Sequence, residues 1–197
     1  MFKRVLLIAP PSSSSLGAVR PPGGLAYLAQ ALREADIECS AEDMRVRGRL
    51  PGLWKHIRAF QPDLIGLSLV SFEYKRSYEL IHVIKEAFSH IPIIVGGPHV
   101  SVLGKTVLEE CPDIDLGIQH EGERPLVQLC QGESPYEEIS GLLYRKNGQI
   151  LSGPPAVAVL DLDNISFPQL SEYKLSRYAR EITVVTSRGC PYRCIFC

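Results

Sequence analysis

The stretch Ile91-Pro-Ile-Ile-Val-Gly-Gly-Pro-His99 sets the pattern of this chain, because a short apolar run ends directly in a glycine pair. Such a run, bounded by turn residues, is typical of a strand that is buried on both faces of a sheet. We predict further short strands at Val5–Ala9, Ile37–Ala41, Leu64–Val70 and Ile114–Ile118. Five strands of this kind indicate a buried, parallel sheet.

Amphipathic segments lie between these strands. Leu25, Leu28 and Leu32 recur at helical spacing, and we predict that this helix runs to about Ala35. Four more helices are predicted around residues 53–60, 78–88 and 102–108 and from residue 125 onwards. Strands that alternate with helices predict an α/β fold. We expect a doubly wound, parallel, five-stranded sheet of the Rossmann-like type over residues 1–133.

The loops after the strands are the candidate binding site, because wound sheets bind ligands at the carboxyl ends of their strands. Gly96 and Gly97 lie in one of these loops, where the missing side chain allows close approach of a ligand to the backbone. The long loop of residues 10–24 lacks G-x-G-x-x-G, and the chain has no G-x4-G-K-[ST] motif. The usual nucleotide-binding motifs are therefore absent.

The alternation of predicted strands and helices ends after about residue 133. Leu142–Leu151 predicts a β-hairpin with an Asn147-Gly148 turn. We predict that residues 134–180 form this hairpin and a connector, which together link the wound sheet to the C-terminal segment. The β-branched run Ile182–Ser187 predicts one more strand, at the start of a second domain over residues 181–197.

Three cysteines, Cys190, Cys194 and Cys197, form a C-x3-C-x2-C pattern. Thiolates are soft ligands, and three of them on a tight loop can hold an iron–sulfur cluster with one iron left open. The alternatives are half of a zinc site, although structural zinc takes four ligands, and disulfide bonding. We expect buried thiols in a reducing cytosol at the three scattered cysteines, Cys39, Cys111 and Cys130.

Composition narrows the possible classes of protein. The chain has 197 residues, of which 45% are hydrophobic, so it is long enough to bury a core. Its formal net charge of -1 provides no excess of positive charge that would favour the binding of nucleic acid. No apolar run approaches the ~20 residues that span a bilayer. The short apolar N-terminus predicts a first strand and not a signal peptide, so we expect a cytoplasmic protein.

The cysteine stretch, Ser187–Cys197, resembles the signature loop of radical S-adenosylmethionine (SAM) enzymes, including the aromatic Phe196 before the last cysteine. The resemblance implies that the three cysteines hold a [4Fe–4S] cluster whose fourth iron binds SAM. The reduced cluster would cleave SAM to a 5′-deoxyadenosyl radical, with flavodoxin or ferredoxin as electron donor. Ile182–Ser187 would be the first strand of a truncated barrel. The chain would then be the N-terminal part of a longer enzyme.

Residues 3–130 resemble the cobalamin-binding domain that precedes the radical SAM barrel in a large enzyme class. The matching stretches are Pro21–Ala29, Pro62–Ser68, Val95–His99 and Glu121–Glu123. The resemblance implies that the corrin ring lies over the carboxyl edge of the sheet, with its nucleotide tail among the loops. The residues that it implies for cobalamin binding are Ser68, Val70, Gly96, Gly97, Pro98, Glu121 and Gly122.

Methionine-synthase-type domains carry D-x-H-x-x-G after the first strand, and its histidine ligates cobalt. Residues 10–24 contain neither Asp nor His. The same spacing of Asp and Gly, called here the frame, recurs at Asp43–Gly48, where Arg45 stands in place of the histidine. A guanidinium stays protonated and cannot ligate a metal. We therefore expect a lower cobalt face without a histidine from this motif. We expect His99 to be a surface loop residue and His82 to be structural or solvated.

The leading hypothesis is the N-terminal part of a cobalamin-dependent radical SAM enzyme that transfers methyl groups, or performs related radical chemistry, on a small molecule or natural product. No residue of this chain is predicted as a catalytic acid or base, and the chain alone is not expected to be active. One alternative is a radical SAM enzyme whose wound domain has lost cobalamin and serves as a scaffold or substrate module. Another is a non-enzymatic corrinoid carrier.

Overall fold

The computed structural model describes residues 1–12, 19–46, 48–158, 161–168, 170, 173–181, 183–189, 192, 194 and 195. Strands and helices alternate through most of this range, as the sequence predicts. The elements in chain order are β1 Arg4–Ala9, α1 Gly23–Glu34, β2 Glu38–Asp43, α2 Leu50–Phe60, β3 Leu64–Ser68, α3 Tyr74–Ala87, β4 Ile93–Gly96, α4 Pro98–Leu103, α5 Lys105–Glu110, β5 Leu116–Ile118, α6 Glu123–Gln131, β6 Leu142–Lys146 and β7 Gln149–Ser152.

One sheet organises these elements, in the order β2-β1-β3-β4-β5-β6-β7. The first five strands pair in parallel, which confirms the predicted five-stranded parallel sheet. The order reverses between β1 and β3, and such a switch point opens a crevice at the carboxyl edge. The fold therefore provides a ligand-binding edge where the sequence predicts one.

Two apolar layers cover the sheet, one on each face. Leu6, Ile65 and Val95 point into the layer that includes residues of α2 and α3. Leu7 and Ile94 point the other way, into the layer that includes residues of α1 and α6. Because successive side chains alternate between the faces, strands buried on both sides must be apolar throughout. This explains why the strands appear in the sequence as continuous apolar runs.

The single helix predicted over Val102–Leu108 is wrong, since the structure has two short helices, α4 and α5, in its place. Gly104 separates them with a φ of 58°. A glycine adopts this left-handed conformation at little cost and so interrupts the helix. The apolar spacing continues across the break, which is why the sequence pattern suggests one helix.

The hairpin at β6 and β7 is formed as predicted, and Asn147 (φ 53°) and Gly148 (φ 76°) supply the two left-handed turn residues. Its predicted role as a linker outside the sheet needs correction. β6 pairs antiparallel with β5, so the hairpin extends the sheet to seven strands. The backbone groups at the edge of β5 thereby gain partners, which an open edge would lack.

The strand predicted at Ile182–Ser187 is not formed in residues 183–187, and Ile182 lies outside the described residues. Strands need a neighbour for hydrogen bonding, and no described strand pairs with this segment. Whether residues 181–197 begin a second domain remains a prediction. Within the part of the chain that the structure describes, no helix is long and apolar enough to span a bilayer.

Candidate functional site

A cavity of about 300 Å³ opens at the carboxyl edge of the sheet, between β3, β4 and the helices α1 and α6. Gly66 and Ser68 of β3 line it together with Ile94 and Gly96 of β4. These residues are two apart within each strand and Ser68 pairs with Gly96, so they share one face of the sheet. Three of these four residues are small, so most of this wall leaves open space beside the backbone.

The glycines of this wall differ in what they permit. A Cβ on Gly96 would have only the Ile118 carbonyl oxygen nearby, at 3.6 Å, so a side chain there would extend into free space. Gly97 has a φ of 94°, and a Cβ on it would lie 2.8 Å from the Leu69 carbonyl oxygen. Gly97 is therefore needed by the backbone, whereas Gly96 preserves open space at the cavity.

The opposite wall comes from α1 and α6. Tyr27, Leu28 and Leu126 line it, and Tyr27 is buried. Gly122 faces Leu28, since a Cβ on it would lie 3.1 Å from Leu28 Cδ2. A mainly apolar cavity with a few polar groups is suited to a ligand that is largely apolar and uncharged.

Arg188 closes one side of the cavity. Its Nη2 donates to Glu123 Oε1 at 2.6 Å, and both side chains are mostly buried, with 16% and 15% exposed. The guanidinium also lies over the Tyr27 ring, 5.1 Å from its centroid. Burial opposes the charge of Arg188, but the hydrogen bond to Glu123 and the nearby Glu121 raise the pKa of Arg188 above its ordinary value.

Ser101 joins two of the loops at the carboxyl edge. Its hydroxyl donates to the Gly97 carbonyl at 3.0 Å and accepts from the His120 backbone N–H at 2.8 Å. His120 lines the cavity and has a φ of 62°, which a residue other than glycine seldom adopts. The hydrogen bonds of Ser101 thus fix the loop after β4 against the loop after β5.

The prediction of a surface position for His99 is wrong, because His99 is buried in the first turn of α4. Its ring stacks on Tyr74, with 4.8 Å between centroids, while Nδ1 and Nε2 each lie 3.2 Å from a hydroxyl, of Ser71 and Tyr78 respectively. A neutral ring with the proton on Nε2 satisfies both contacts. Burial lowers the pKa of His99, which favours this neutral state.

Five of the seven residues predicted for cobalamin binding line the cavity: Ser68, Gly96, Gly97, Glu121 and Gly122. Val70 and Pro98 are not among the lining residues. Gly66, Tyr27 and Arg188 also line the cavity but are not among the predicted site residues. A glycine inside a buried strand is a signal for Gly66. Tyr27 and Arg188 lie within the stretches that carry the family resemblances, which give neither residue a role at the cavity. Cobalamin contact at these residues remains a prediction.

The predicted cluster ligands fall mostly beyond the described residues. Cys190 and Cys197 lie outside them, and Cys194 is exposed. In the residues that can be described, no three His, Cys, Asp or Glu side chains gather into a metal site. Cys111 and Cys130 are buried, as expected, whereas Cys39 is only partly buried.

The frame Asp43–Gly48 has a structural role. Arg45 binds both carboxylate oxygens of Asp43, at 2.9 and 2.7 Å, and Tyr178 donates to the same carboxylate at 3.1 Å. The Asp43 side chain is 3% exposed. Asp43 therefore holds the connector against β2 through its bond with Tyr178, and Arg45 neutralises its charge.

A family model for the B12 binding domain matches residues 14–130, which is more than half of the chain. The chain therefore belongs to the B12-binding domain family. This confirms the resemblance that the sequence stretches carry.

The relatives are enzymes, and each is longer than this chain. An uncharacterized methyltransferase of Pyrococcus horikoshii, PH0819, is 31% identical over 98% of the chain and 45% of its own length. The cobalamin-dependent radical SAM methyltransferase TokK of Streptomyces tokunonensis is 28% identical over 70% of the chain and 22% of its own length. The chain thus spans less than half the length of these curated relatives.

A solved structure shows the same architecture. The cobalamin-dependent SAM radical enzyme OxsB, with aqua-cobalamin and SAM bound, superposes with a TM-score of 0.84 and 26% identity. The match covers 99% of this chain and 28% of the OxsB chain. The predicted Rossmann-like, cobalamin-binding type of fold is confirmed.

Proposed function

We propose that this chain is the cobalamin-holding N-terminal part of a radical SAM enzyme, and that the cavity takes the nucleotide tail of the cofactor. The cavity carries this proposal, because it lies at the carboxyl edge and combines a wall of mostly small residues with apolar opposite sides. The tail ends in an uncharged, largely apolar benzimidazole, which suits a cavity with this apolar lining. A tail held there cannot also ligate cobalt, so the cofactor would bind with its base released.

The residues present fit the cofactor. Gly96 leaves room for a group that runs past the backbone, since a Cβ there would meet nothing closer than 3.6 Å. Ser68 and Gly97 stand beside it at the cavity wall, and Glu121 and Gly122 line the far side. Bound cobalamin supplies a cobalt centre that can accept and donate a methyl group. The role of this chain is to orient the cofactor and to exclude water from its tail.

The second part of the proposal concerns Cys190, Cys194 and Cys197, which would hold the [4Fe–4S] cluster that binds SAM. Their spacing supports it, together with the relationship to TokK and OxsB, whose names state radical SAM chemistry. We propose methyl transfer to a small-molecule or natural-product carbon as the reaction of the whole protein. An electron donor such as flavodoxin or ferredoxin would reduce the cluster.

Ring formation is a second candidate reaction. An anaerobic magnesium-protoporphyrin IX monomethyl ester cyclase of Cereibacter sphaeroides is 27% identical over 90% of the chain and 31% of its own length. The wound domain would hold the same cofactor for methyl transfer and for ring formation, so its structure is compatible with both reactions. Products formed by the full-length enzyme would decide between them.

The test is retention of hydroxocobalamin by the purified chain, measured by absorbance after anaerobic desalting. We expect about one corrinoid per chain for the wild type and a loss of at least tenfold in affinity for Gly96→Leu, whose side chain would fill the cavity. Gly52→Leu is the matched control, because Gly52 is exposed on α2 and a Cβ there meets nothing within 4 Å.

Thiols can themselves coordinate cobalt, so the assay needs a further control. Replacing Cys190, Cys194 and Cys197 together by alanine removes the cysteine stretch as a source of retained corrinoid. If this variant retains none, thiol coordination explains the signal and the cavity proposal is wrong. Equal retention by wild type and Gly96→Leu would also contradict it. The cluster is tested separately by iron content and SAM cleavage of the anaerobically reconstituted full-length protein.

A further inference from the structure

The segment that leads into the cysteine stretch is attached to the wound domain at a small number of points. The Ala179 backbone N–H donates to the Val19 carbonyl at 2.9 Å, and an exposed ion pair joins Arg20 to Glu181. Thr183 and Val184 then line a small cavity of about 70 Å³ beside the N-terminus of α1. The segment thus runs along the start of α1 towards the large cavity.

The last described attachment before the cysteines is Arg188, and it differs from the Arg20–Glu181 pair. Arg188 and both of its partners, Glu123 and Tyr27, line the large cavity. The Arg188 side chain is 16% exposed, whereas the Arg20 side chain is 55% exposed. One ion pair therefore forms part of the cavity wall, and the other holds the same segment from outside it.

The residue after Arg188 is a glycine whose backbone conformation other residues seldom adopt. Gly189 has a φ of 78°, and a Cβ on it would meet nothing within 4 Å. Cys190 follows immediately in the sequence. Only Gly189 therefore separates Arg188 from the first cysteine of the stretch.

We propose that Arg188 couples the occupancy of the cavity to the order of residues 183–189, the segment that leads into the cysteine stretch. This inference rests on the proposed function, because the occupant would be the corrinoid tail. A molecule in the cavity packs against the wall that Tyr27, Glu123 and Arg188 form, and so restricts the Arg188 side chain. A ligand shifts a conformational equilibrium by the difference in its contacts with the two states. Here the contacts with the occupant favour the conformation in which Arg188 is bound to Glu123 and lies over the Tyr27 ring.

The consequence is that corrinoid binding restricts the backbone around Arg188, in the segment of residues 183–189. Such coupling is reciprocal, so an ordered segment also tightens corrinoid binding by the same factor. Arg188 acts here as a positioning residue.

Hydrogen–deuterium exchange of the backbone amides in residues 183–189 tests the inference, with methylcobalamin as the probe and retained corrinoid measured on the same samples. We expect saturating methylcobalamin to slow exchange in this segment at least about fivefold, the lower end of typical couplings. Arg188→Gln and Glu123→Gln break the pair from opposite sides. Each should reduce the effect of methylcobalamin to less than about twofold in corrinoid-loaded samples.

Arg20→Gln is the matched control, because it removes an ion pair on the same segment without touching the cavity. It should raise exchange in the free chain slightly and leave the fivefold effect of methylcobalamin intact. If the wild type retains corrinoid but its exchange is not slower, the inference is wrong and the proposed function stands. The same holds if methylcobalamin slows exchange as much in Arg188→Gln as in the wild type. No retained corrinoid in the wild type overturns the proposed function, and the inference with it.

Discussion

The wound sheet and the segment after its hairpin are held by different kinds of interaction. The sheet is fixed by two apolar layers whose side chains are almost wholly buried, such as Leu6 and Ile65. The segment of residues 173–189 is attached through polar contacts at Asp43, Arg20 and Glu123. Its apolar attachment is one small cluster, in which the buried Tyr173 packs with Ala26 and Ala41. The sheet is therefore expected to fold as one cooperative unit, and the segment to respond to a few individual side chains.

The largest effect in this comparison is expected at Gly97. Gly97→Val places a side chain on a backbone with a φ of 94° and a Cβ 2.8 Å from the Leu69 carbonyl oxygen. A conformation reserved for glycine costs other residues roughly 1–3 kcal/mol, and the clash adds to this. Urea denaturation should show a loss of at least about 2 kcal/mol, while Gly96→Ala changes stability little. Equal stability of the two variants would show that Gly97 is not constrained as described.

A smaller effect is expected at the attachment of the connector to β2. Asp43→Ala removes the partner of Arg45 and of the Tyr178 hydroxyl. Loss of a hydrogen bond between a charged group and its partner costs about 1.5–3 kcal/mol. We expect the connector to be cut faster in limited proteolysis, with the sheet intact. Tyr178→Phe removes one hydrogen bond only and should accelerate cleavage less than Asp43→Ala does.

The buried His99 should make stability depend on pH. Its folded pKa is lowered by burial, so the unfolded chain takes up a proton first as the pH falls. Stability is therefore complete above pH ~6.5, the usual pKa of histidine, and decreases below it. His99→Gln should flatten this part of the stability profile, measured by urea unfolding between pH 7 and 5. An unchanged slope in His99→Gln would show that His99 does not cause the loss of stability.

The smallest effect is expected for the exposed pair Arg20–Glu181. Both side chains are more than half exposed, at 55% and 61%. Exposed ion pairs contribute about 0–1 kcal/mol, and salt screens them. Arg20→Gln should change the unfolding free energy of the chain by less than about 0.5 kcal/mol. A loss above 1 kcal/mol would mean that the segment is integral to the sheet.

The contrast between the two regions also explains what the sequence could predict. Mostly apolar runs such as Leu64–Ser68 predict strands, because a strand that is buried on both faces needs apolar side chains at successive positions. The five parallel strands and the glycine loops at their ends follow from that pattern. Local patterns also place Ser68, Gly96 and Gly122 at one edge, where the cavity lies.

Contacts between residues distant in sequence could not be predicted in the same way. Arg188 and Glu123 are 65 residues apart in the sequence, and the residues around each of them do not indicate that the two side chains form a pair. The burial of His99 depends on Tyr74, Ser71 and Tyr78, which come from a different part of the chain. The pairing of β6 with β5 likewise depends on the open edge that β5 leaves, and not on the hairpin sequence.

The absorption spectrum of methylcobalamin bound to the purified chain tests the central claim most directly. If the cavity holds the nucleotide tail, the benzimidazole is released from cobalt, and the bound cofactor shows the yellow base-off spectrum at neutral pH. Gly96→Leu should abolish that spectrum, and Gly52→Leu should keep it. A bound cofactor that keeps the red base-on spectrum would contradict the account, because its tail would then lie on cobalt and not in the cavity.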